Sequence, residues 1–501
     1  MKLKFGYCFA VALLGVNWAW AQLGTATPES QGIASEDILK WINVAERDIH
    51  VLHSFVLVRH GKIVASGWWD PYRETAPHRL FSHSKSFTAT AVGLAIDERK
   101  LDLDEQVAEI FADKLPATIP DNLKQLRVRD LLTMNAGTKS DSFRNDPAGD
   151  WVKAFLASDF AVRPGTMFRY DSCATYMLAE IVEKKTGRKM MEYLKEKFFD
   201  PLGITGVETT YSPSGVPCGG WGMAMKTTDL ARFGQCYLQE GAWNGKQVLS
   251  REWVRLATSK HTRNCGNASD YDNNDWHRGY GFQFWRCQHN CFRADGAGGQ
   301  FTIMMPDQDA VFCATALFGD FQGAFNTVWE HLLPAMKNAP LPENPEALAK
   351  LREKCATLRL ATVAGGREGV VKDLRSWKLK PNNGGFDELR FEPDEEGWKI
   401  VLSGDKRKVA FNVGHQKWRT GETSLTDATV DPLGAFGLLG TLNTAASGAW
   451  TENGKFTARV WYTHEAAKSK LELDFTGPKP KCLFHTDGAC LPSTDLKLEA
   501  E

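Results

Sequence analysis

The spacing of apolar positions along the chain separates an early hairpin from a long helical stretch. Residues 36–47 repeat apolar side chains at helical spacing, which predicts a helix. Residues 54–58 and 62–65 are short apolar runs on either side of His60-Gly61, a pattern typical of a β-hairpin. From Ser82 to about Val254 the pattern is mostly helical, interrupted by Pro- and Gly-marked loops.

Strand-like runs return after this helical middle, at 279–285, 299–305 and 310–317, and a last helix is predicted at 324–336. Strands at both ends of a helical middle predict one sheet built from the two ends of a single domain, with helices packed around it. We therefore predict an α+β domain over residues 22–338.

A proline-rich linker at 339–345 precedes a change of pattern. Beyond it, 398–402 and 408–411 indicate a hairpin, and Asn453-Gly454 is a strong two-residue turn signal. Residues 471–475 alternate apolar and polar positions. The pattern predicts a C-terminal antiparallel β domain at 346–501, either barrel-like or a sandwich, whose role is a substrate lid, a dimer surface or a wall-binding module.

The N-terminus has the features of a secretory signal peptide. Lys2 and Lys4 precede an apolar run at 5–16, and Ala19-Trp20-Ala21 offers a cleavage site. The apolar run is too short for a good membrane span. We predict removal of residues 1–21, no membrane span afterwards, and a periplasmic or secreted protein; a retained N-terminal anchor is the alternative.

Composition excludes some classes of function. Hydrophobic residues make up 43% of the chain and charged residues 24%, with a formal net charge of −1. These values are ordinary for a soluble globular protein. No basic face or long Lys/Arg run is present, so no nucleic-acid partner is predicted and a small molecule or peptide is the expected substrate.

Cysteine content favours export. Ten of the eleven cysteines remain after loss of Cys8, and an even number in an oxidising compartment favours disulfides. Cys482 and Cys490 could close a small loop, and two of Cys265, Cys287 and Cys291 could pair. The alternative for 287–291 is a partial metal site, which lacks a fourth ligand at a recognisable spacing.

A serine three positions before a lysine opens the apolar segment that starts at Ser82. On a helix, Ser82 and Lys85 share one face within one turn. A lysine amine can take the proton of a neighbouring hydroxyl when burial or charge favours the neutral amine. The other interpretation of Ser82 is a simple helix cap.

Two further motifs follow Ser82 along the chain. Tyr170-Asp171-Ser172 immediately precedes a helical run, Cys173 to Lys185, which ends at Gly187. The third motif is Ala294-Asp295-Gly296-Ala297-Gly298-Gly299-Gln300-Phe301, which leads into an apolar strand. A serine, a lysine and a phenol in this order are suited to nucleophilic catalysis with proton transfer.

The order of the three motifs resembles the serine β-lactamase and penicillin-binding-protein superfamily, and most closely its class C branch, which also holds esterases and D-amino-acid peptidases. The resemblance covers roughly residues 28–338. Further stretches similar to this family are 101–105, 131–137, 219–222, 228–233 and 279–282.

The resemblance implies an antiparallel sheet flanked by helices, with a helical lobe and a site between the lobe and the sheet edge. It implies that Ser82 is the nucleophile and that Lys85 and Tyr170 carry protons, with no metal or organic cofactor; which of the two is the base stays open. Ser172 stands where many relatives have asparagine. The N–H groups of Ala297 and Ser82 would form the oxyanion hole.

The third motif departs from the family's Lys-Thr-Gly pattern. Ala294 replaces the usual Lys or His, and Asp295 replaces Thr or Ser. The lost cation normally helps to hold a substrate carboxylate, so a small ester or a D-amino-acid-type amide is the expected substrate. Asp295 and Gly296 are candidate substrate contacts. Trp221 is a candidate wall of the cleft, with core packing as the alternative.

Two other functions are compatible with the same motifs. The first is a penicillin-recognising D-amino-acid peptidase or β-lactamase. The second, from another class, is a ligand-binding protein that keeps the pocket and has lost turnover. The presence of Ser82, Lys85 and Tyr170 argues against this last alternative.

Overall fold

A computed structural model of the protein describes residues 23–49, 51–139, 149–264, 274–405, 407–425, 440–490 and 493–501. Within these ranges, the first 338 residues form a seven-stranded sheet packed with helices, and a second, ten-stranded sheet follows. This confirms the predicted α+β fold. The predicted signal peptide (1–21) and Cys265 lie outside the described residues.

The described strands of the first part of the chain are β1 (Gly24–Thr25), β2 (Leu52–Arg59), β3 (Lys62–Trp68), β4 (His78–Arg79), β5 (Ala224–Met225), β6 (Ala242–Trp243), β7 (Lys246–Gln247), β8 (Trp285–Arg286), β9 (Phe292–Gly296), β10 (Gln300–Met305) and β11 (Ala310–Ala316). Seven of them form one sheet in the order β1-β3-β2-β11-β10-β9-β8. The antiparallel pairing of β2 with β11 joins the two ends of the domain, as predicted.

The described α-helices are α1 (Ser35–Asp48), α2 (Ser84–Asp97), α3 (Val107–Ile110), α4 (Asp121–Gln125), α5 (Val128–Leu132), α6 (Trp151–Leu156), α7 (Ser172–Thr186), α8 (Met190–Leu194), α9 (Asp200–Leu202), α10 (Thr227–Leu238), α11 (Arg251–Thr258), α12 (Phe321–Thr327) and α13 (Pro345–Ala356). The predicted helices at 36–47 and 173–185 are confirmed as α1 and α7. Gly187 ends α7 in the left-handed conformation expected of a C-terminal glycine.

The central strands of the seven-stranded sheet are buried on both faces, since every position of β2, β10 and β11 is buried. Val56 and Val58 point to a core shared with α2, α7 and α10. Phe55 and Leu57 point to a second core, which α1 and α12 cover. Successive side chains of a strand point to opposite faces, so an unbroken apolar run is what a sheet between two helical layers requires.

The prediction of a strand at 279–285 is wrong for most of that range. Only Trp285–Arg286 forms a strand there, and Gly279 and Gln283 interrupt the range with positive φ of 114° and 62°. The Gln283 side chain is buried and donates to the Leu131 and Leu132 carbonyls. The segment therefore caps α5 rather than pairing in the sheet.

The second sheet contains β12 (Arg375–Lys378), β13 (Glu388–Asp394), β14 (Gly397–Ser403), β15 (Lys408–His415), β16 (Arg419–Leu425), β17 (Gly440–Glu452), β18 (Lys455–Tyr462), β19 (Ala467–Asp474), β20 (Lys481–Gly488) and β21 (Thr494–Glu499). Its order is β12-β13-β14-β15-β17-β18-β19-β20-β21, with β16 paired to β17. The predicted β14–β15 hairpin and the turn at Asn453-Gly454 are confirmed.

This second sheet curls until its edges meet. The Lys380 N–H donates to the Glu499 carbonyl at 2.9 Å, and the Glu501 N–H donates to the Lys378 carbonyl at 2.9 Å. These bonds join the ends of β12 and β21. Of the two predicted architectures, the barrel-like one is therefore correct, and the sheet surrounds its own apolar core.

No disulfide joins two cysteines of the described residues, which corrects the disulfides predicted there. Cys482 is buried near the start of β20, whereas Cys490 is exposed beyond its end. A strand rises about 3.3 Å per residue, so the extended chain holds these two far beyond the reach of a disulfide. Cys287 and Cys291 are both buried thiols. The described residues contain no cluster of three or more potential metal ligands.

A search of the described helices finds none that is long and apolar enough to span a bilayer.

Candidate active site

Ser82 lies in a single 3-10 turn, Phe81–His83, that leads directly into α2. Phe81 has a φ of 49°, a left-handed conformation that bulky residues rarely adopt. Such strain tends to occur at functional sites. The end of β9 contacts this turn because Gly296 has no side chain: a Cβ there would lie 2.0 Å from the Leu80 carbonyl oxygen. The nucleophile turn and the sheet edge are thus held together.

Lys85 is buried one turn after Ser82 and points at it. Its Nζ is 3.1 Å from Ser82 Oγ, 2.9 Å from Ser172 Oγ and 2.7 Å from the Gly220 carbonyl oxygen. Only 1% of Lys85 is exposed. The Nζ also lies 4.8 Å from the centroid of the Tyr170 ring. The structure therefore brings the first two predicted motifs into one cluster.

Tyr170 hydrogen-bonds Ser82 through its hydroxyl. Its ring stacks on Trp285 with centroids 5.5 Å apart, and it meets Tyr280 edge-on. Burial raises the pKa of Tyr170 above its usual value, and the nearby Asp295 carboxylate raises it further, while the hydrogen bond to Ser82 opposes the rise. Tyr170 is consequently a protonated phenol at neutral pH.

Ser172 faces Lys85 rather than capping its helix. The cap of α7 is Asp171, whose carboxylate accepts a 2.8 Å bond from the Cys173 N–H and another from the Thr138 hydroxyl. Ser172 is thereby free of the capping role and places its Oγ on Lys85. Tyr170 and Ser172 therefore both contact the Ser82–Lys85 cluster, and Asp171 between them caps α7.

The Gly220 carbonyl is a site group that sequence reasoning missed. It accepts from Lys85, and a Cβ on Gly220 would lie only 3.1 Å from the Ser172 Cβ and 3.4 Å from Lys85 Nζ. Gly219 and Gly222 flank it with positive φ. The Gly219-Gly220-Trp221-Gly222 run was the available signal, because clustered glycines indicate a close backbone approach.

Trp221 is half-buried beside this carbonyl. Its ring packs on Trp151 with centroids 5.9 Å apart, and it contacts the core shared by α2 and α7. Ala297 lies in the turn after β9, and it packs near Phe81. Ala297 is therefore placed beside the nucleophile turn.

Asp295 lies on β9, and its carboxylate contacts a buried guanidinium. Arg293 Nε donates to Asp295 Oδ2 at 2.7 Å, and Arg293 is fully buried. The Arg293 guanidinium lies over the rings of Trp276 and Phe325, at 4.3 and 4.6 Å. Burial raises the pKa of Asp295, and the Arg293 charge opposes this rise. Arg293 is thus turned into the core and supplies no exposed cation to replace the one absent at Ala294.

His83, next to the nucleophile, points away from it. It is fully buried, and its Nε2 is 2.8 Å from Thr302 Oγ1 on β10. Burial lowers the pKa of His83 to about 3. The side chain therefore ties the nucleophile turn to the sheet instead of forming a Ser-His pair.

The buried imidazole makes stability depend on pH. An unfolded chain protonates His83 near pH 6.5, so between that pH and about 3 the unfolded state binds more protons, and the free energy of unfolding falls as pH falls. The free energy of unfolding of the wild-type protein should fall between pH 7 and pH 5. We expect His83→Gln to reduce this fall by about 2 kcal/mol, as measured by urea unfolding. An identical loss in both proteins would contradict this explanation.

Comparison with known proteins assigns the chain to a family. Residues 53–318, just over half of the chain, match the family described as Beta-lactamase. The chain belongs to the beta-lactamase family. It is a serine hydrolase of that type, and the match ends before the second sheet begins.

Individual relatives are distant. A 6-aminohexanoate-dimer hydrolase of Paenarthrobacter ureafaciens is 24% identical over 337 residues, 61% of this chain and 86% of that protein. A D-aminopeptidase of Cereibacter sphaeroides is 29% identical over 169 residues, 31% of this chain and 32% of that protein. A solved structure from Bacillus anthracis, assigned provisionally as a 6-aminohexanoate-dimer hydrolase, is 18% identical with a TM-score of 0.51 and covers 64% of this chain and 89% of its own.

Proposed function

We propose that this protein is an exported serine hydrolase that cleaves an ester or an amide through an acyl-enzyme on Ser82. The observation that carries the proposal is the 3.1 Å approach of Lys85 Nζ to Ser82 Oγ, with the Tyr170 hydroxyl on the same oxygen. A fluorophosphonate adduct mapped to Ser82 by mass spectrometry is the direct test. Absence of an adduct, with ligand binding retained in Ser82→Ala, would favour a binding protein instead.

In acylation, Ser82 Oγ attacks the substrate carbonyl and gives up its proton. Tyr170 holds its own proton, because burial raises its pKa, and so it donates rather than accepts at rest. We propose that Lys85 reacts as a neutral amine, which has two hydrogens for Ser172 and Gly220 and one lone pair for the Ser82 proton. We assign the first proton acceptor to Lys85 and the transfer to the leaving group to Tyr170.

The tetrahedral oxyanion forms beside the turn after β9. The N–H groups of Ser82 and Ala297 are the proposed donors, and the Gly296 contact with Leu80 keeps the two backbones close. Collapse of this intermediate breaks the bond to the leaving group. In deacylation a water molecule attacks the acyl group, its proton passes to the Lys85–Tyr170 pair, and Ser82 regains its hydroxyl hydrogen.

The proposed substrate-binding side of the cleft carries one carboxylate on β9. Asp295, Gly296 and Trp221 are the proposed substrate contacts, with the Asp295 carboxylate accepting from an amine, amide or hydroxyl of the substrate. The names of the relatives, a hydrolase of a 6-aminohexanoate dimer and a D-aminopeptidase, support the amide form of the proposal.

We predict discrimination against substrates that carry a carboxylate next to the scissile bond. Strand β9 offers no exposed cation to bind such a group, because the Arg293 guanidinium is buried and paired with Asp295. A neutral nitrophenyl ester and its carboxylate-bearing analogue of equal length form the matched pair. We expect kcat/KM to be at least about tenfold higher for the neutral ester, which corresponds to roughly 1.4 kcal/mol, with no turnover of nitrocefin. Equal values, or efficient nitrocefin turnover, would favour the β-lactamase alternative.

Export and domain division belong to the same proposal. The positively charged start, the apolar run at 5–16 and the small residues at 19–21 support removal of a signal peptide and a periplasmic or secreted location. The hydrolase domain is assigned to 22–338 and the barrel-like domain to 346–501, since the family match lies wholly within the first.

A further inference from the structure

The second sheet reaches the nucleophile turn. Ala466, at the end of the β18–β19 connection, and Ala489, after β20, form a small apolar cluster with Phe81. A Cβ on Gly298 would lie 2.7 Å from the Ala489 Cβ and 3.3 Å from that of Ala466. Two connections of the C-terminal sheet therefore rest against the turn that carries Ser82 and against the turn after β9.

A buried ion pair fastens the first of these connections. Arg79 Nη2 donates to Glu465 Oε1 at 2.9 Å, and the two side chains are 12% and 2% exposed. The Arg79 N–H also donates to the His464 carbonyl at 2.8 Å. Both side chains are shielded from water, and each charge is compensated largely by the other. A buried ion pair of this kind requires a stricter geometry than an ion pair on the surface.

Arg79 also holds the glycine run that carries the lysine's acceptor. Its Nη1 donates to the Gly222 carbonyl. Two residues earlier, the Gly220 carbonyl accepts from Lys85 at 2.7 Å. The next residue after Arg79, Leu80, donates its N–H to the Met223 carbonyl. One guanidinium thus connects the C-terminal sheet to the backbone segment on which the Lys85 amine rests.

We propose that Glu465, supplied by the C-terminal sheet, is a positioning residue for hydrolysis. It orients Arg79, which fixes the Gly220–Gly222 backbone and thereby the Lys85 amine against Ser82. The C-terminal sheet then contributes a positioning residue to the hydrolytic site and is not an independent domain. This inference rests on the proposed function, because it concerns the same Ser82 chemistry.

The test is the rate of covalent labelling of the full chain by a fluorophosphonate at increasing concentrations. A positioning residue acts on the chemical step, so E465Q should lower the labelling rate at saturation at least about tenfold. The concentration that gives half of this rate should change less than about twofold. Asp487→Asn is the matched control: Asp487 pairs with Lys468 on the same sheet, 3.6 Å apart and half-exposed, and this variant should label at the wild-type rate.

A second variant covers the case in which E465Q does not fold. The double variant R79Q/E465Q removes both buried charges and leaves neither stranded, and it should show the same slow labelling. Wild-type labelling rates in either folded variant would overturn the inference. A loss that scales with the unfolded fraction in thermal melts would overturn it too, because a merely structural role predicts that result.

The outcome for the wild-type protein separates this inference from the proposed function. If wild-type Ser82 takes no label, the proposed hydrolase fails and Glu465 has no chemistry to support. If wild-type Ser82 labels and E465Q labels equally fast, the hydrolase stands and only the role of Glu465 is rejected.

Discussion

Ser82→Ala should abolish covalent labelling and lower ester turnover by about 10⁴-fold or more, because it removes the atom that carries the acyl group. The melting temperature should stay within a few degrees of the wild-type value. Ser82 is partly exposed and its described contacts are with Lys85 and Tyr170, so the fold loses little when the hydroxyl is removed. Labelling, steady-state kinetics and thermal melts on one preparation measure both quantities.

Ser86→Ala is the matched control on the same helix. The Ser86 hydroxyl is buried and donates to the Gln283 carbonyl at 2.7 Å. Its removal leaves that carbonyl without this donor and should cost about 1 kcal/mol of stability while activity is kept. The two serines should therefore show opposite patterns. Persistent turnover in Ser82→Ala, or its unfolding, would reject Ser82 as the nucleophile.

Lys85→Met should reduce the rate of acylation by roughly 10²–10⁴-fold, the range for removal of a positioned general base. Methionine fills a similar volume and has no amine. Ser172 and Gly220 lose a hydrogen-bond donor, but the helix no longer buries an amine, and these effects offset each other. We expect a melting temperature within a few degrees of wild type, with the lost rate seen in single-turnover labelling.

Lys354→Met is the control that separates loss of the Lys85 amine from loss of a lysine elsewhere in the protein. Lys354 lies on α13 and pairs with Glu46 at 2.6 Å, with 29% of its side chain exposed. A pair of this kind contributes about 0–1 kcal/mol, so this variant should retain full activity. Rapid acylation in Lys85→Met would transfer the base role to another group, and Tyr170 is the nearest candidate.

Local patterns predicted several elements because their cause is local. The β2–β3 hairpin and α1 follow from apolar periodicity, and glycines mark the hairpin turn at Gly61 and the end of α7 at Gly187. The turn at Asn453-Gly454 follows from residues that accept left-handed backbones, and Gly454 has a φ of 75°. Such preferences act over a few residues and are readable without knowledge of the fold.

The errors arose where distant contacts decided the backbone. The apolar run at 279–285 looks like a strand, but Gln283 is bound to carbonyls at the end of α5, and this contact bends the segment. The two cysteines at 482 and 490 look close in sequence, but β20 extends between them. In both cases local composition was compatible with more than one conformation, and packing selected one.

Short-range spacing predicted the chemical groups of the nucleophile turn: a serine and a lysine on one turn of an apolar helix, and a tyrosine followed by a serine at the start of another. The groups that surround them were set by the packing of the whole chain. Lys85 meets Gly220 across 135 residues, and Arg79 meets Glu465 across 386. Spacing within one helical turn dictates proximity, whereas contacts across such separations depend on how whole layers pack, and no short stretch of sequence encodes that arrangement.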